Sequence, residues 1–261
     1  MRLKDLEDRH KGQMAFIVGS GPSLHFTNVD LMKDYVTFGV NSAFLKIKDF
    51  ADYFVSSDQG MKWWSYYLFD LKESDCVKLL YEKKLAKEAY HLNNVLFYDC
   101  KWYWSPSDKS LNLDGLKLTK NAYKKIIGNR TSSGAAVHFA FIVGADPIVL
   151  ISHDNCYKDG NRYWFQYPDE PKPYRVNGVP LFADSNRGRH PRTGDYWDSH
   201  CAQIAEYWHL LSIQTKKQGI NIINASRHTV LDCFPRMTLD EVLEKYGDRK
   251  KPKKESLERK E

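Results

Sequence analysis

The chain has 261 residues, a net charge of +6 and a 42% hydrophobic, 14% aromatic composition, enough for one large domain with a substantial core or a domain with a lid. No stretch reaches the length of a membrane-spanning helix, and Met1 to Gly12 is too charged for a signal-peptide core. The five cysteines (Cys76, Cys100, Cys156, Cys201 and Cys233) are odd in number and show no CxxC spacing, which argues against a zinc ribbon and fits reduced thiols in a cytoplasmic protein.

Residues 1–12 read as a short polar helix. Met14 to Val18 has the length and β-rich character of a buried parallel strand. It breaks into Gly19-Ser20-Gly21-Pro22-Ser23. Glycine permits a sharp turn and a close approach there, Pro22 fixes φ, and Ser23 is placed to cap a following helix. A strand, a glycine turn and a helix start form an anion site when free N–H groups point outward. Gly19, Ser20, Gly21 and Ser23 are therefore candidate nucleotide-phosphate contacts; the plainer alternative is a tight strand–helix turn.

A second apolar strand runs from Tyr35 to Asn41, and a third, from Asp52 to Asp58, ends in a carboxylate. In open parallel sheets ligands bind beyond the carboxyl ends of the strands, so the glycine turn, Asn41 and Asp58 are expected to meet at one crevice. Asn41 is a candidate to read a ribose or base through its amide. Asp58 is a candidate to hold a ribose hydroxyl or a divalent cation. Each is also an ordinary turn residue. Gln59 to Tyr90 reads as helical, Val95 to Cys100 as a fourth strand, Lys101 to Asn121 as a loop insertion and Ala122 to Ile127 as helical.

Gly128-Asn-Arg-Thr-Ser-Ser-Gly134 precedes a helix of small and apolar residues. Thr131, Ser132 and Ser133 offer capping hydroxyls and free N–H groups there, a second anion or ribose site, and Arg130 suits a bidentate phosphate contact. His138, inside the apolar helix, reads as a core histidine. Asp146 to Ser152 is a fifth strand ending in His153-Asp154-Asn155-Cys156-Tyr157, and Lys158 to Asn161 is a turn. Residues 166–189 form a long loop of the kind that makes lids. Arg187, Arg189, His190 and Arg192 concentrate there in a cationic group suited to an anion. A helix from Trp197 to Gln218, a last strand from Ile220 to Asn224 and a capping box at Thr238–Glu241 follow. The basic run from Arg249 to Lys260 reads as a solvated, disordered end, with weak attraction to nucleic acid as the alternative. The fold class is α/β, a Rossmann-like open parallel sheet flanked by helices. The expected organisation is a polar helix over 1–12, one nucleotide-binding domain over 13–247 with a lid around 157–195, and a basic tail over 248–261.

The motifs Gly19-Ser-Gly-Pro-Ser23, Gly39-Val-Asn41-Ser-Ala-Phe44, Arg130-Thr-Ser-Ser-Gly134 and His153-Asp-Asn-Cys-Tyr157-Lys-Asp-Gly-Asn-Arg-Tyr163 occur in that order. Through them, from about Phe16 to Leu243, the chain resembles the bacterial sialyltransferases of glycosyltransferase family 42. It is also similar to the motility accessory factor glycosyltransferases and the archaeal 6-hydroxymethylpterin diphosphokinases. The sialyltransferase resemblance implies that Gly19, Ser20, Gly21 and Asn41 hold the nucleotide, although that family carries Asn where this chain has Ser20. It implies that Ser132, Ser133 and Gly134 bind the nucleotide or a sugar carboxylate. It further implies that Tyr157 and Tyr163 stabilise the departing phosphate, and that His190, in His190-Pro-Arg-Thr-Gly-Asp195, is the general base. No metal or other cofactor is required in that reading. The diphosphokinase resemblance implies ATP and magnesium instead, with Asp58 and Asp154 as the metal carboxylates.

Three functions are therefore expected in competition. The first is glycosyl transfer from a nucleotide sugar to a glycan, small-molecule or nucleic-acid acceptor. The second is magnesium-dependent diphosphate transfer from a nucleoside triphosphate. The third is a non-enzymatic nucleotide- or nucleic-acid-associated module. A homo-oligomer is compatible with all three.

Overall fold

Short β-rich runs separated by glycine- and serine-rich turns build a seven-stranded sheet in which every pairing is parallel. The computed structural model describes residues 1–58, 60, 64–101, 116–121, 125–127, 131–173 and 194–252. The sheet strands are β1 (Ala15–Val18), β2 (Val36–Val40), β3 (Tyr53–Ser56), β4 (Val77–Tyr81), β5 (Val95–Tyr98), β8 (Ile148–Ile151) and β9 (Ile222–Asn224). A separate two-residue pair joins β6 (Cys100–Lys101) to β7 (Ile126–Ile127). The sheet order is β5-β4-β3-β2-β1-β8-β9. The chain thus builds outward from β1 on one side, then crosses over and builds outward on the other. β1 and β8 flank the switch point, where the connecting loops diverge and leave a crevice.

Both faces of the sheet are covered, which is why its central strands read as continuous apolar runs rather than alternating ones. One face packs Ala15, Ile17, Val55, Leu79, Ile148 and Leu150 under helix α1 (Ser132–Ile142) and the Tyr207–Leu211 part of helix α2 (Gly194–Lys217). The other packs Phe16, Val18 and Ile151 under Leu24, Trp164, Phe165 and Val242 of helix α3 (Leu239–Tyr246), with Phe54 and Leu80 under Tyr66, Tyr67 and Leu71. The Thr238 capping box is formed: Thr238 N–H donates to Glu241 at 2.6 Å and Glu241 N–H to Thr238 Oγ1 at 3.2 Å. His138 is a core histidine. It accepts the Ile127 N–H at Nδ1, 3.0 Å, and so donates from Nε2 to the Thr119 carbonyl.

Three sequence expectations are corrected. Gln59 to Tyr90 is not helical throughout, because Val77–Tyr81 is strand β4 between β3 and β5. Its lysine and leucine content suits a helix, but Lys78 is buried and its amine escapes to the Ser74 carbonyl and to Asn93 Oδ1. Ile126 and Ile127 are strand rather than helix. The basic tail is not free from residue 248, since residues 249–251 form a strap across the amino edge of the sheet. Met14 N–H donates to the Arg249 carbonyl at 2.9 Å, and Arg249 pairs with Asp146 at 2.7 Å. Lys250 pairs with Asp34 at 3.1 Å, and Lys251 with Asp52 at 2.9 Å.

Partly exposed ion pairs contribute about 0.2–1 kcal/mol each, and main-chain hydrogen bonds about 1 kcal/mol. A chain ending at Pro252 is therefore expected to melt with the full-length protein, and a chain ending at Asp248 roughly 3–10 °C lower. Scanning calorimetry of the two truncations decides this; equal melting points would make the strap ornamental.

Candidate functional site

Five loops leave the carboxyl edge of the sheet around the switch point, and one carboxylate ties two of them together. Asp154, three residues past β8 and 1% exposed, accepts the Ser23 main-chain N–H and the Ser23 hydroxyl, both at 2.6 Å. The loops are also joined through their backbones: Gly19 N–H donates to the Ile151 carbonyl at 2.8 Å and Gly21 N–H to the Ser152 carbonyl at 3.1 Å. A Cβ on Gly19 would lie 2.8 Å from the Ser152 oxygen, and one on Gly21 2.6 Å from both that oxygen and Asp154 Oδ2. Both glycines are thus required by contact with the β8 loop. The expectation of several outward N–H groups is corrected. Those of Gly19, Gly21 and Ser23 are engaged inside the protein, Pro22 has none, and among the described residues only the Ser20 N–H has no partner. Burial raises the Asp154 pKa above its ordinary value even against the Ser23 bonds and the nearby His228 and Arg236.

Ser20 links the glycine loop to the end of β2. Its Oγ donates to the Val40 carbonyl and accepts the Ala43 N–H, both at 3.0 Å. Asn41 follows with φ +51°, and its Oδ1 accepts from Ser56 Oγ at 2.7 Å, leaving its NH2 as the group offered to a ligand. Ser152 and Asn155 share that left-handed backbone region, at φ +57° and +52°. Non-glycine residues held there cost roughly 1–3 kcal/mol each and gather at functional sites. Asp58 lies past β3, with Oδ1 accepting the Gly60 N–H at 2.8 Å.

The amino end of α1 faces the same edge. Thr131 caps it, its Oγ1 accepting the Ser133 N–H at 3.2 Å. Ser132 Oγ accepts the Ser57 N–H at 2.9 Å, so the helix start is bolted to the loop that carries Asp58. Gly134 leaves room for Tyr207, whose hydroxyl occupies the place a Cβ would take.

Tyr157 and Tyr163 stand on the two arms of a tight turn, in which Lys158 and Asn161 exchange main-chain hydrogen bonds at 3.0 and 2.8 Å. The turn returns the chain, so the residues six apart stand on its two adjacent arms. Tyr157 is 38% exposed with the Arg162 guanidinium 5.1 Å over its ring, and Tyr163 stacks on Phe165 at 5.2 Å. Burial pushes the Tyr163 pKa well up; Arg162 opposes this, and Asp58, Cys201 and Tyr157 are near enough to add to it. Tyr163 therefore stays a protonated hydrogen-bond donor. Tyr66 is drawn into the same group: it is fully buried, and Asp58 and Tyr163 both act on it.

The described residues thus bring together Gly19, Ser20, Gly21, Ser23, Asn41, Asp58, Thr131, Ser132, Ser133, Gly134, Asp154, Tyr157 and Tyr163 on one edge. His190, Arg130, Arg187, Arg189 and Arg192 lie outside the described residues. Sequence reasoning passed over Ser57 and Tyr66, and it placed His153 and Asn155 at a strand end without giving them a role. Ser57 also sits just past a strand end, which was the signal available for it; Tyr66 carried none. Asn155 donates to the Cys201 carbonyl at 2.8 Å and fastens α2 to this edge. His153 donates from Nδ1 to the Ile151 carbonyl at 3.0 Å and stands edge-on to Trp208, while its Nε2 is buried without a partner.

Of the two carboxylates of the magnesium expectation, Asp154 has both oxygens held by Ser23 in a buried position, while Asp58 accepts the Gly60 N–H at Oδ1. A depression of about 520 Å3 lined by Lys48, Asp49, Phe69 and Ser74 opens toward the starts of β3 and β4, away from this edge. No helix among the described residues is long and apolar enough to cross a membrane. No family model, curated protein or solved structure matches the chain.

Burial lowers the His153 pKa from 6.5 to about 4. The unfolded chain takes up a proton below pH 6.5 that the folded chain refuses until about pH 4, so stability falls as pH drops across that window, by about 3 kcal/mol. Asp154, whose folded pKa is raised, acts with the opposite sign: its contribution falls as pH rises above 3.8. Denaturant melts at pH 7, 6, 5 and 4 are expected to show His153→Gln losing less stability than the wild type as pH falls. Parallel losses would mean that the imidazole is not the group being charged.

Proposed function

We propose that the chain is a transferase that binds a nucleotide-activated donor at the carboxyl edge around the β1/β8 switch point and moves a sugar to an acceptor hydroxyl. The observation that carries this reading is the grouping of Tyr157, Tyr163 and Asp58 at the carboxyl edge that bears the glycine turn, with the Tyr163 phenol kept protonated by burial. In such a transfer the acceptor oxygen bonds to the sugar's anomeric carbon as the bond to the donor phosphate breaks. Negative charge develops on the leaving phosphate, and preorganised donors aimed at that charge lower the barrier most. Tyr163 and Tyr157 are suited to that role, with Arg162 adding positive charge. The Asn41 NH2 and the Asp58 carboxylate are suited to the base and the ribose hydroxyls. His190 is the base that the sialyltransferase resemblance assigns; an imidazole takes the acceptor proton efficiently near neutral pH.

Binding to the native state alone raises stability by RT ln(1 + [L]/Kd), about 2.7 kcal/mol at a hundredfold excess over Kd. A thermal-shift panel of CMP, UDP, GDP and ATP, each with magnesium and with chelator, is expected to show one pyrimidine or purine diphosphate or monophosphate raising Tm without magnesium. With the matching nucleotide sugar, His190→Ala is expected to keep that shift and to lose about 10²–10⁴-fold in turnover. A shift seen with ATP alone and abolished by chelator would replace this reading with diphosphate transfer.

A further inference from the structure

We infer that Tyr66 supplies a third phenol to the phosphate site, beside Tyr163 and Tyr157. The inference rests on the transferase reading and adds a residue that neither the motifs nor the resemblance assigns. Tyr66 is the second residue of the single turn Ser65–Leu68, which follows β3 and Asp58 in the chain. Its ring is fixed edge-on to Trp64 at 5.3 Å and to Phe54 at 6.5 Å, and Trp64 packs against the same cluster as Tyr163 and Trp164. The phenol is therefore held rigidly, yet its hydroxyl is fully buried and has no hydrogen-bond partner. A buried hydroxyl left unpaired costs free energy, and native proteins retain few of them.

The chemistry of the surrounding groups says what is missing. Trp164, whose main-chain N–H donates to the Ser20 carbonyl, also has its indole N–H buried without an acceptor. An indole N–H donates only, and a neutral phenol hydroxyl can donate as well as accept. One orphaned donor, the indole of Trp164, belongs to the residue next to Tyr163, and the unpaired Tyr66 hydroxyl sits on the ring beside Trp64, which packs against the same cluster, with Arg162 as the nearby cation. The ligand that satisfies them is rich in acceptors and carries negative charge, as a phosphate does.

The test uses full-length protein, wild type and Tyr66→Phe, with a nucleoside and its 5′-monophosphate compared by calorimetric titration and thermal shift, for the base that the wild type prefers. Without ligand, Tyr66→Phe is expected to melt at or above the wild-type temperature, because it removes only an unpaired hydroxyl. Nucleoside affinity is expected to be unchanged and monophosphate affinity to fall about ten- to hundredfold, the loss of a hydrogen bond to a charged group. Tyr67→Phe, which alters the neighbouring phenol packed on His91, is expected to keep wild-type monophosphate affinity. If Tyr66→Phe binds nucleoside and monophosphate as the wild type does, or weakens both equally, the phosphate role is wrong while the transferase reading stands. If the wild type binds no nucleotide at all, both fall together.

Discussion

One buried carboxylate organises the ligand edge of this protein. Asp154 reaches from the end of β8 to the glycine loop after β1 and takes both donors of Ser23. Burying a carboxylate is unfavourable unless it is well hydrogen-bonded, and two short charge-assisted bonds offset much of that penalty. Much of the local sequence follows from this contact. Gly19 and Gly21 have no room for a Cβ because the β8 loop lies against them. Ser152 adopts a left-handed backbone immediately before the residues that make the contact. Ser152 Oγ donates to the Gly21 carbonyl at 2.8 Å, closing the same junction from the other side.

The same contact constrains where a ligand's charge goes. The glycine loop already holds an anion, the protein's own. A phosphate oxygen about 4 Å from that carboxylate would be repelled by about 4 kcal/mol at an effective dielectric near 20. The loop therefore acts as a frame for the crevice, and its remaining offers are the Ser20 N–H and the surface that the glycines leave bare. Charge on a ligand is better received near Arg162, which lies over the Tyr157 ring, and by the amino end of α1, which carries the positive end of a helix dipole and is anchored through Ser132 to Ser57.

The architecture was largely legible because it depends on patterns that sequence carries directly. β-rich runs bounded by glycine and serine marked β1, β2, β3, β8 and β9, and the rule that ligands gather at carboxyl ends of parallel strands brought their terminal residues together. β4 was hidden because its residues, read locally, suit a helix; only neighbours on both sides and a partner for the Lys78 amine make it a strand. The strap at residues 249–251 was hidden for a related reason. A run of basic residues looks solvated until the aspartates opposite it, Asp34, Asp52 and Asp146, are known to line one edge. The glycine turn was recognised as special, but its cause was misread: the group it accommodates is Asp154, whose approach no local pattern reports.

The two edges of the sheet differ in a way that bears on function. At the amino edge the polar groups are closed off among themselves. His10 pairs through one ring nitrogen with Gln13 and through the other with Tyr53, both at 2.9 Å, the Lys78 amine has its acceptors, and the strap pairs its three cations. At the carboxyl edge Tyr66 Oη, His153 Nε2 and Trp164 Nε1 are buried without partners, and Asn41, Ser152, Asn155 and Asp159 hold left-handed backbone, as Asp8 and Asn94 do elsewhere. Folding alone selects against such groups, since each unpaired atom and each strained residue lowers stability. The unpaired atoms also differ in kind. His153 donates through Nδ1, which leaves Nε2 an acceptor, whereas on the opposite face of the sheet Trp164 presents a donor and Tyr66 a hydroxyl able to donate. On the transferase reading proposed above, an acceptor on one face of the sheet and donors on the other suit a ligand with hydroxyl or amine groups at one end and phosphate oxygens at the other, the polarity of a nucleotide.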